Sequence, residues 1–248
     1  ASDVYKRQLI LPLQVLAAGS LRDVWPAIIA AFQHHYPAGI VTQFGPAGLL
    51  RQRIEQGEQC DLFVSASMMH PLALKRAGRA QDVGVCCHNL LCLNVSHRIP
   101  PAPWLELLGN PVLRVATSTP GCDPCGDYTW LLFDRIERQY ATLGEQLKQR
   151  ALTLVGGEKS SPVPPGKRAS QWIIQSGQAE IFIGYQSYAH ELQAADAIST
   201  VLIPAEWQKR ADYGYAVCRP VGKKLAEMLL TQEGQKILVA AGFGTVAG

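Results

Sequence analysis

Three short turns of this sequence place glycine next to small or hydroxyl residues directly ahead of a helical pattern. They are AAGSL, containing Ser20, FGPAGLL, containing Ala47 and Gly48, and DPCGDY, containing Cys125. The start of a helix presents backbone N–H groups with no intrahelical acceptor and carries about half a positive charge, so it binds anions without any cationic side chain. Glycines in such turns let backbone approach a ligand closely. Each turn taken singly also fits ordinary capping, for which serine is a preferred residue. The chemistry they suggest together is reversible capture of a small anion.

Signatures of other chemistry are absent from the sequence. It contains no P-loop, no complete G-x-G-x-x-G and no G-x-S-x-G elbow, which argues against nucleotides and serine hydrolysis. His34 and His35 are adjacent, while His70, His88, His97 and His190 are scattered. Cys122 and Cys125 form a C-x-x-C, but no second pair exists to complete a tetrahedral metal site. Redox, metal, disulfide and inert roles stay open for that pair. Seven cysteines is an odd number, so at least one is unpaired within the chain. The five tryptophans are spread singly, as core packing would have them.

The elements that hold these turns read as strand, turn and helix in repeated order. LQVLAA from Leu13 to Ala18 is a first buried strand, and Leu21, Val24, Trp25, Ile28, Ile29 and Phe32 then trace one helical face. Pro26 fits a helix only in its first turn, so either Asp23 is the cap or the Ser20 turn stands apart. GIVTQF, DLFVSA, LLCLNV, LRVAT, ALTLV, EIFIGY, TVLIP and YGYAVC supply further strands. A long helix follows DPCGDY, with Tyr128, Leu131, Leu132, Arg135, Ile136 and Leu143 on one face. Lys6 and Arg7 ahead of LILPLQVLAAG imitate a signal peptide, but LQVLAA leads into a helix as a strand would. Residues 1–8 match no pattern, and their native origin is not legible.

Short connections between alternating strands and helices imply mostly parallel sheets covered on both faces. At 248 residues the length suits two such sheets. Hydrophobic residues at 48% and charged residues at 17% describe an ordinary globular chain. The net charge of +3, without any run of lysine or arginine, makes nucleic acid a poor partner. No stretch reaches the roughly 20 apolar residues of a membrane helix.

In this order the segments resemble the periplasmic molybdate-binding protein family from Leu13 to Phe243. LQVLAAGSL is similar to that family's first strand and Ala-Ser-Leu turn, and FGPAGLLRQRIEQGEQCDLFVSAS to its most specific stretch. PCGDY, IGYQSYA, YGYAVC and EGQKILVAAGF complete the likeness. The resemblance implies an α/β, two-lobed periplasmic-binding-protein-like fold of type II, with each lobe a mostly parallel sheet flanked by helices and the ligand cleft between them. Residues 9–88 and 200–248 would form the first lobe and 89–199 the second. It further implies a solute-binding component of an ABC importer, periplasmic or otherwise extracytoplasmic, monomeric, and not an enzyme. Molybdate or tungstate would be its bound ligand, with no cofactor or metal, and the transporter's membrane subunits would be its partners.

Carried over by position, the resemblance assigns ligand binding to Ser20, the Cys125 amide and Tyr185. The loop of Gly45, Pro46, Ala47 and Gly48 departs from it, since no hydroxyl stands there and only the amides of Ala47 and Gly48 can donate. The loop from Glu158 to Arg168 departs as well, with Ser161 its candidate donor and Lys159, Ser160, Lys167 and Arg168 nearby. These departures leave a small organic or phosphorylated anion as an alternative ligand. A lyase or dehydratase on this fold would need Asp123, Asp127 or Glu158 as its acid or base. A regulator's effector domain finds no support, because no helix-turn-helix precedes the first strand.

Overall fold

The computed structural model describes residues 11–194 and 197–246. Lys6, Arg7 and the first eight residues, with the questions of signal and native origin attached to them, lie outside the described residues. The chain divides into two compact units, residues 1–88 with 212–248, and residues 89–211.

In the first unit, β1 (Leu13–Ala18) is buried along almost its whole length, as a central parallel strand covered on both faces must be. It pairs in parallel with β2 (Ile40–Gly45) and with β3 (Leu62–Ser65). β3 then pairs antiparallel with β10 (Ala211–Val217), and β4 (Asp82–Asn89) completes the order β2-β1-β3-β10-β4. Sequence reading passed over β4. Its Val83 and Val85 alternate with Gly84, and Gly84 has no side chain because a Cβ there would lie 2.7 Å from the Tyr215 hydroxyl.

Helix α1 (Trp25–His35) answers the question about Pro26, which falls in the first turn with Val24 as the cap. The Gly19–Leu21 turn is therefore a separate 3-10 element. Helices α2 (Ala47–Glu55) and α3 (Met69–Arg76) cover the same sheet. Their apolar sides meet Leu16, Phe63 and Ala216 in a core that also holds Leu50, Ile54 and Leu74.

His70 on α3 is only 2% exposed, and neither ring nitrogen has a hydrogen-bond partner. Burial, with the Arg51 charge, lowers its pKa to about 4, against the weaker pull of Glu55. A free histidine protonates near 6.5, so the unfolded chain takes up this proton first. Stability is therefore lost as pH falls from about 6.5 to 4, by on the order of 3 kcal/mol. We expect His70→Leu to flatten that loss, and urea-unfolding midpoints compared at pH 7 and pH 4.5 would show an unchanged slope if the histidine were solvated.

In the second unit, β6 (Val115–Ser118) pairs in parallel with β7 (Leu152–Val155) and β8 (Ile181–Tyr185). β5 (Leu91–Ser96) runs antiparallel to both β8 and β9 (Ile198–Leu202), giving the order β7-β6-β8-β5-β9. This pairing corrects the expected boundary: residues 200–211, read as part of the first lobe, belong to the second unit. Gln208 reinforces the assignment, since its side chain bonds both the N–H and the carbonyl of Leu91, at 2.7 and 2.9 Å.

The unit also contains α4 (Trp104–Gly109), α5 (Pro124–Gln139), α6 (Leu143–Arg150), α7 (Ala169–Gln175) and α8 (Ala189–Gln193). The long helix expected to include Leu143 is two helices. Thr142 takes a left-handed φ of 76° between them, and the Glu137 carboxylate accepts from the amides of Thr142 and Glu145 at 2.6 and 2.9 Å. Helices α9 (Lys223–Leu230) and α10 (Gln232–Ala240) return the chain to the first unit.

Core packing describes Trp25 but not the other tryptophans, which are half-buried. Trp207 meets Trp104 edge-on at 5.4 Å and has the Arg135 guanidinium over its ring. No helix among the described residues is long and apolar enough to cross a membrane.

Candidate functional site

Parallel pairing decides which turns of the first unit come together. Ala18 stands opposite Gly45 in the β1–β2 register, so the Ser20 turn and the start of α2 leave the same sheet edge. Ser20 Oγ lies 2.7 Å from the Tyr213 hydroxyl, and either oxygen donates. Tyr213 is wholly buried on β10 and rests edge-on against Phe243, so it fixes the position of Ser20.

Beside it, α2 begins after an extended Pro46 with no side-chain cap on its first amides. Ala47 and Gly48 are the first two helical residues, and both are buried. Their N–H groups are too early in the helix to reach an intrahelical carbonyl. Hydroxyl and amides here make a neutral, donor-rich corner.

The second unit builds a comparable corner at the carboxyl ends of β6, β7 and β8. Helix α5 begins at Pro124, whose missing N–H costs nothing in the first turn. Gly126 is compulsory, since a Cβ would lie 2.7 Å from the Pro120 nitrogen, the Ser118 oxygen and the Thr119 carbonyl carbon. The helix start is thus pressed onto the end of β6. Cys125 Sγ turns inward to the Ile183 carbonyl at 3.7 Å, two residues before Tyr185 closes β8. Tyr185 is 5% exposed.

The cap of this helix is an acid. Asp123 Oδ1 accepts from the Cys125 amide at 3.4 Å, long for such a bond. A Cβ at Gly156 would lie 2.7 Å from Asp123 Oδ2, so the turn after β7 covers the carboxyl. Burial pushes the Asp123 pKa up to about 6, with the Asp127 charge adding to it, while the Ser118 hydroxyl and the Cys125 amide favour the ionised form. Asp127 is raised by burial and eased by the Gly121 amide, which donates to its Oδ1 at 2.7 Å. Cys125 is driven well above the ordinary thiol range, first by burial, and stays a neutral thiol.

Residues 13–244 match the family of bacterial extracellular solute-binding proteins. The chain belongs to that family. Pasteurella multocida protein PM1146 is 39% identical over 235 residues, covering 93% of this chain and 98% of its own. The periplasmic molybdate-binding protein of Azotobacter vinelandii is 18% identical with a TM-score of 0.74, over 93% of this chain and 98% of that one. The sulfate-binding protein SubI of Mycobacterium tuberculosis is 18% identical with a TM-score of 0.75, over 95% and 87%. These structures share the two-lobed α/β fold of solute-binding proteins.

Within this solute-binding protein, the site residues suggested by sequence fall into two groups. Ser20, Ala47 and Gly48 share one corner of the first unit, while Cys125 and Tyr185 share one of the second. Ser161 joins neither through any contact and is exposed. Its neighbour Ser160 instead accepts from the Gly157 amide at 2.9 Å, in the turn where Thr119 Oγ1 donates to the Val155 carbonyl at 2.8 Å.

Arg168 turns to the Glu191 carboxylate and lies 4.7 Å over the Tyr188 ring, while Lys159 and Lys167 are exposed. Of the acids a lyase would need, Glu158 is exposed and Asp127 holds the Gly121 turn. Asp123 caps the same helix, α5, and burial pushes its pKa up to about 6. Among the described residues no three His, Cys, Asp or Glu side chains gather as a metal site would require. Sequence reading missed Tyr213 as a partner of Ser20, though the alternation in YGYAVC could have marked it as an inward-facing tyrosine.

Proposed function

We propose that this solute-binding protein captures a small oxyanion for an ABC importer outside the cytoplasm, with molybdate or tungstate as its first candidates. Ser20 and the Ala47 and Gly48 amides would donate from one unit, and the Cys125 amide and the Tyr185 hydroxyl from the other. The observation that carries the reading is the start of α2, where amides without a side-chain cap adjoin a hydroxyl anchored by Tyr213. Neutral donors of this kind select an anion by size and hydrogen-bond count, because no fixed positive charge binds every anion alike.

Calorimetry with molybdate, tungstate, sulfate, phosphate and a dicarboxylate tests the reading. Heat with molybdate or tungstate supports it, and binding of the dicarboxylate alone would end it. Ser20→Ala removes one hydroxyl from the shell, and losing a buried donor costs about 1–3 kcal/mol. We expect affinity for the preferred oxyanion to fall by roughly 10-fold to 100-fold.

Asp123 favours a second reading, an anion that carries its own proton. Hydrogen phosphate or a phosphomonoester can donate a P–O–H to an ionised carboxylate, which a fully ionised dianion cannot do.

A further inference from the structure

We infer that Cys60 and Cys218 are joined by a disulfide in the mature protein, formed by exchange with a small-molecule or protein disulfide outside the cytoplasm. The inference draws on the extracellular setting of the family and not on the identity of the ligand. Such compartments are where disulfides form and persist.

The two cysteines come from opposite ends of the sequence and meet in the core of the first unit. Cys60 directly precedes β3 and packs among Leu16, Leu50, Phe63 and Ala216, with Cys218 against the same cluster. Cys218 Sγ donates to the Ala216 carbonyl at 3.8 Å, its backbone lies against Asp61, the neighbour of Cys60, and each thiol shifts the other's acidity. The backbone around them is pinned on several sides. Val217 is in register with Leu62, and beyond that pair the amides of Cys218 and Arg219 both donate to the Asp61 carbonyl, at 3.1 and 3.3 Å. Asp61 also donates its own amide to the Gln14 carbonyl at 2.8 Å, and its carboxylate accepts from the Gln14 amide at 2.7 Å. On its far side Gly222 leaves no room, since a Cβ there would come within 2.3 Å of the Asp61 carbonyl.

Among the other five cysteines, Cys87 has its pKa raised by burial and by Cys86 beside it. Cys86 and Cys87 are consecutive in β4, where neighbouring side chains point to opposite faces. Cys92 turns to Asn94 and Cys125 to the Ile183 carbonyl. One bridge and five thiols agree with the odd total of seven.

The contact also divides the chemistry between the partners. Cys218 is partly exposed, and its pKa is lowered by the Cys60 thiol and by Arg219, whereas Cys60 is raised by the same contact and by burial. Cys218 thiolate attacks the oxidant's disulfide R–S–S–R, forming Cys218–S–S–R and releasing one RS⁻. Cys60 then gives up its proton and attacks Cys218 Sγ, expelling the second RS⁻. Two protein thiols are oxidised and one disulfide is reduced to two thiols.

The bridge would close the chain around the whole second unit, residues 89–211. Loops of this length restrict the unfolded state most in the chain-entropy account. The test incubates the full chain with oxidised glutathione, then counts thiols in denaturant and maps peptides without reduction. We expect the titre to fall from seven to five, a Cys60–Cys218 peptide, and a Tm higher by about 5–10 °C than the reduced protein. Cys60→Ser and Cys218→Ser should each hold six thiols and show no rise in Tm on oxidation. Because Cys218 is partly exposed, its serine variant keeps the test decisive if Cys60→Ser fails to fold. A titre that stays at seven, or a bridged peptide linking any other pair, would overturn the inference.

Discussion

Replacing Gly126 by alanine should reduce oxyanion affinity by more than about 100-fold, the largest loss expected from any single methyl group in this protein. The added Cβ would meet three backbone atoms of the Ser118–Pro120 segment at 2.7 Å. Backbone cannot swing aside as a flexible side chain can, so the first turn of α5 must lift from β6. That movement carries away the Cys125 amide and the Asp123 cap together. Overpacking of this kind costs about 1–3 kcal/mol and sometimes more, and the second unit should lose stability by that amount.

Gly166→Ala supplies the comparison. Gly166, unlike the helical Gly126, has a left-handed φ, 77°, and nothing lies within 4 Å of its Cβ position. There the cost is conformational only, about 1 kcal/mol, and ligand affinity should not move. Calorimetry and urea unfolding on both variants separate the two effects. Wild-type affinity in Gly126→Ala would mean that the start of α5 takes no part in binding.

The contrast between these glycines also shows what sequence could and could not disclose. The central strands β1, β3 and β8 were legible because strands buried on both faces are continuous apolar runs, and burial writes itself into composition. β4 was not, because its glycine and paired cysteines answer to Tyr215 and the core rather than to strand propensity. The break between α5 and α6 turns on Thr142 in a conformation that Glu137 holds from five residues away, a choice that helical periodicity does not record.

Distance along the chain set the same limit at the candidate site. Ser20 and the starts of α2 and α5 could be found because turn chemistry is local. The partner of Ser20 is 193 residues away, and only the fold brings it there. The boundary near 211 failed for a related reason: TVLIP reads as a strand wherever it pairs, and only its register with β5 assigns it to the second unit.

Asp123→Asn should produce the opposite sign, tightening the binding of a fully ionised oxyanion by about 10-fold or more at pH 7.5. Asp123 is ionised above its pKa of about 6, and its charge then occupies the positive end of α5 that an anion would use. Bringing a dianion alongside raises the carboxyl's pKa further, so binding takes up a proton. Affinity should accordingly fall by up to tenfold for each pH unit above about 6, and level off below it.

Asparagine keeps an oxygen for the Cys125 amide and removes the charge, which should flatten that profile. Of the neighbouring groups, Cys125 is a neutral thiol, and Asp127 is engaged with the Gly121 amide, so Asp127→Asn should leave most of the slope in place. Phosphate discriminates between the two ligand classes. Its P–O–H can donate to the Asp123 carboxylate, so Asp123→Asn should weaken phosphate while strengthening sulfate or molybdate. Weakening of all three would mean that the Asp123 carboxylate serves binding by holding the start of α5 rather than by repelling the ligand, and a flat profile in the wild type would mean that Asp123 does not sense the ligand at all.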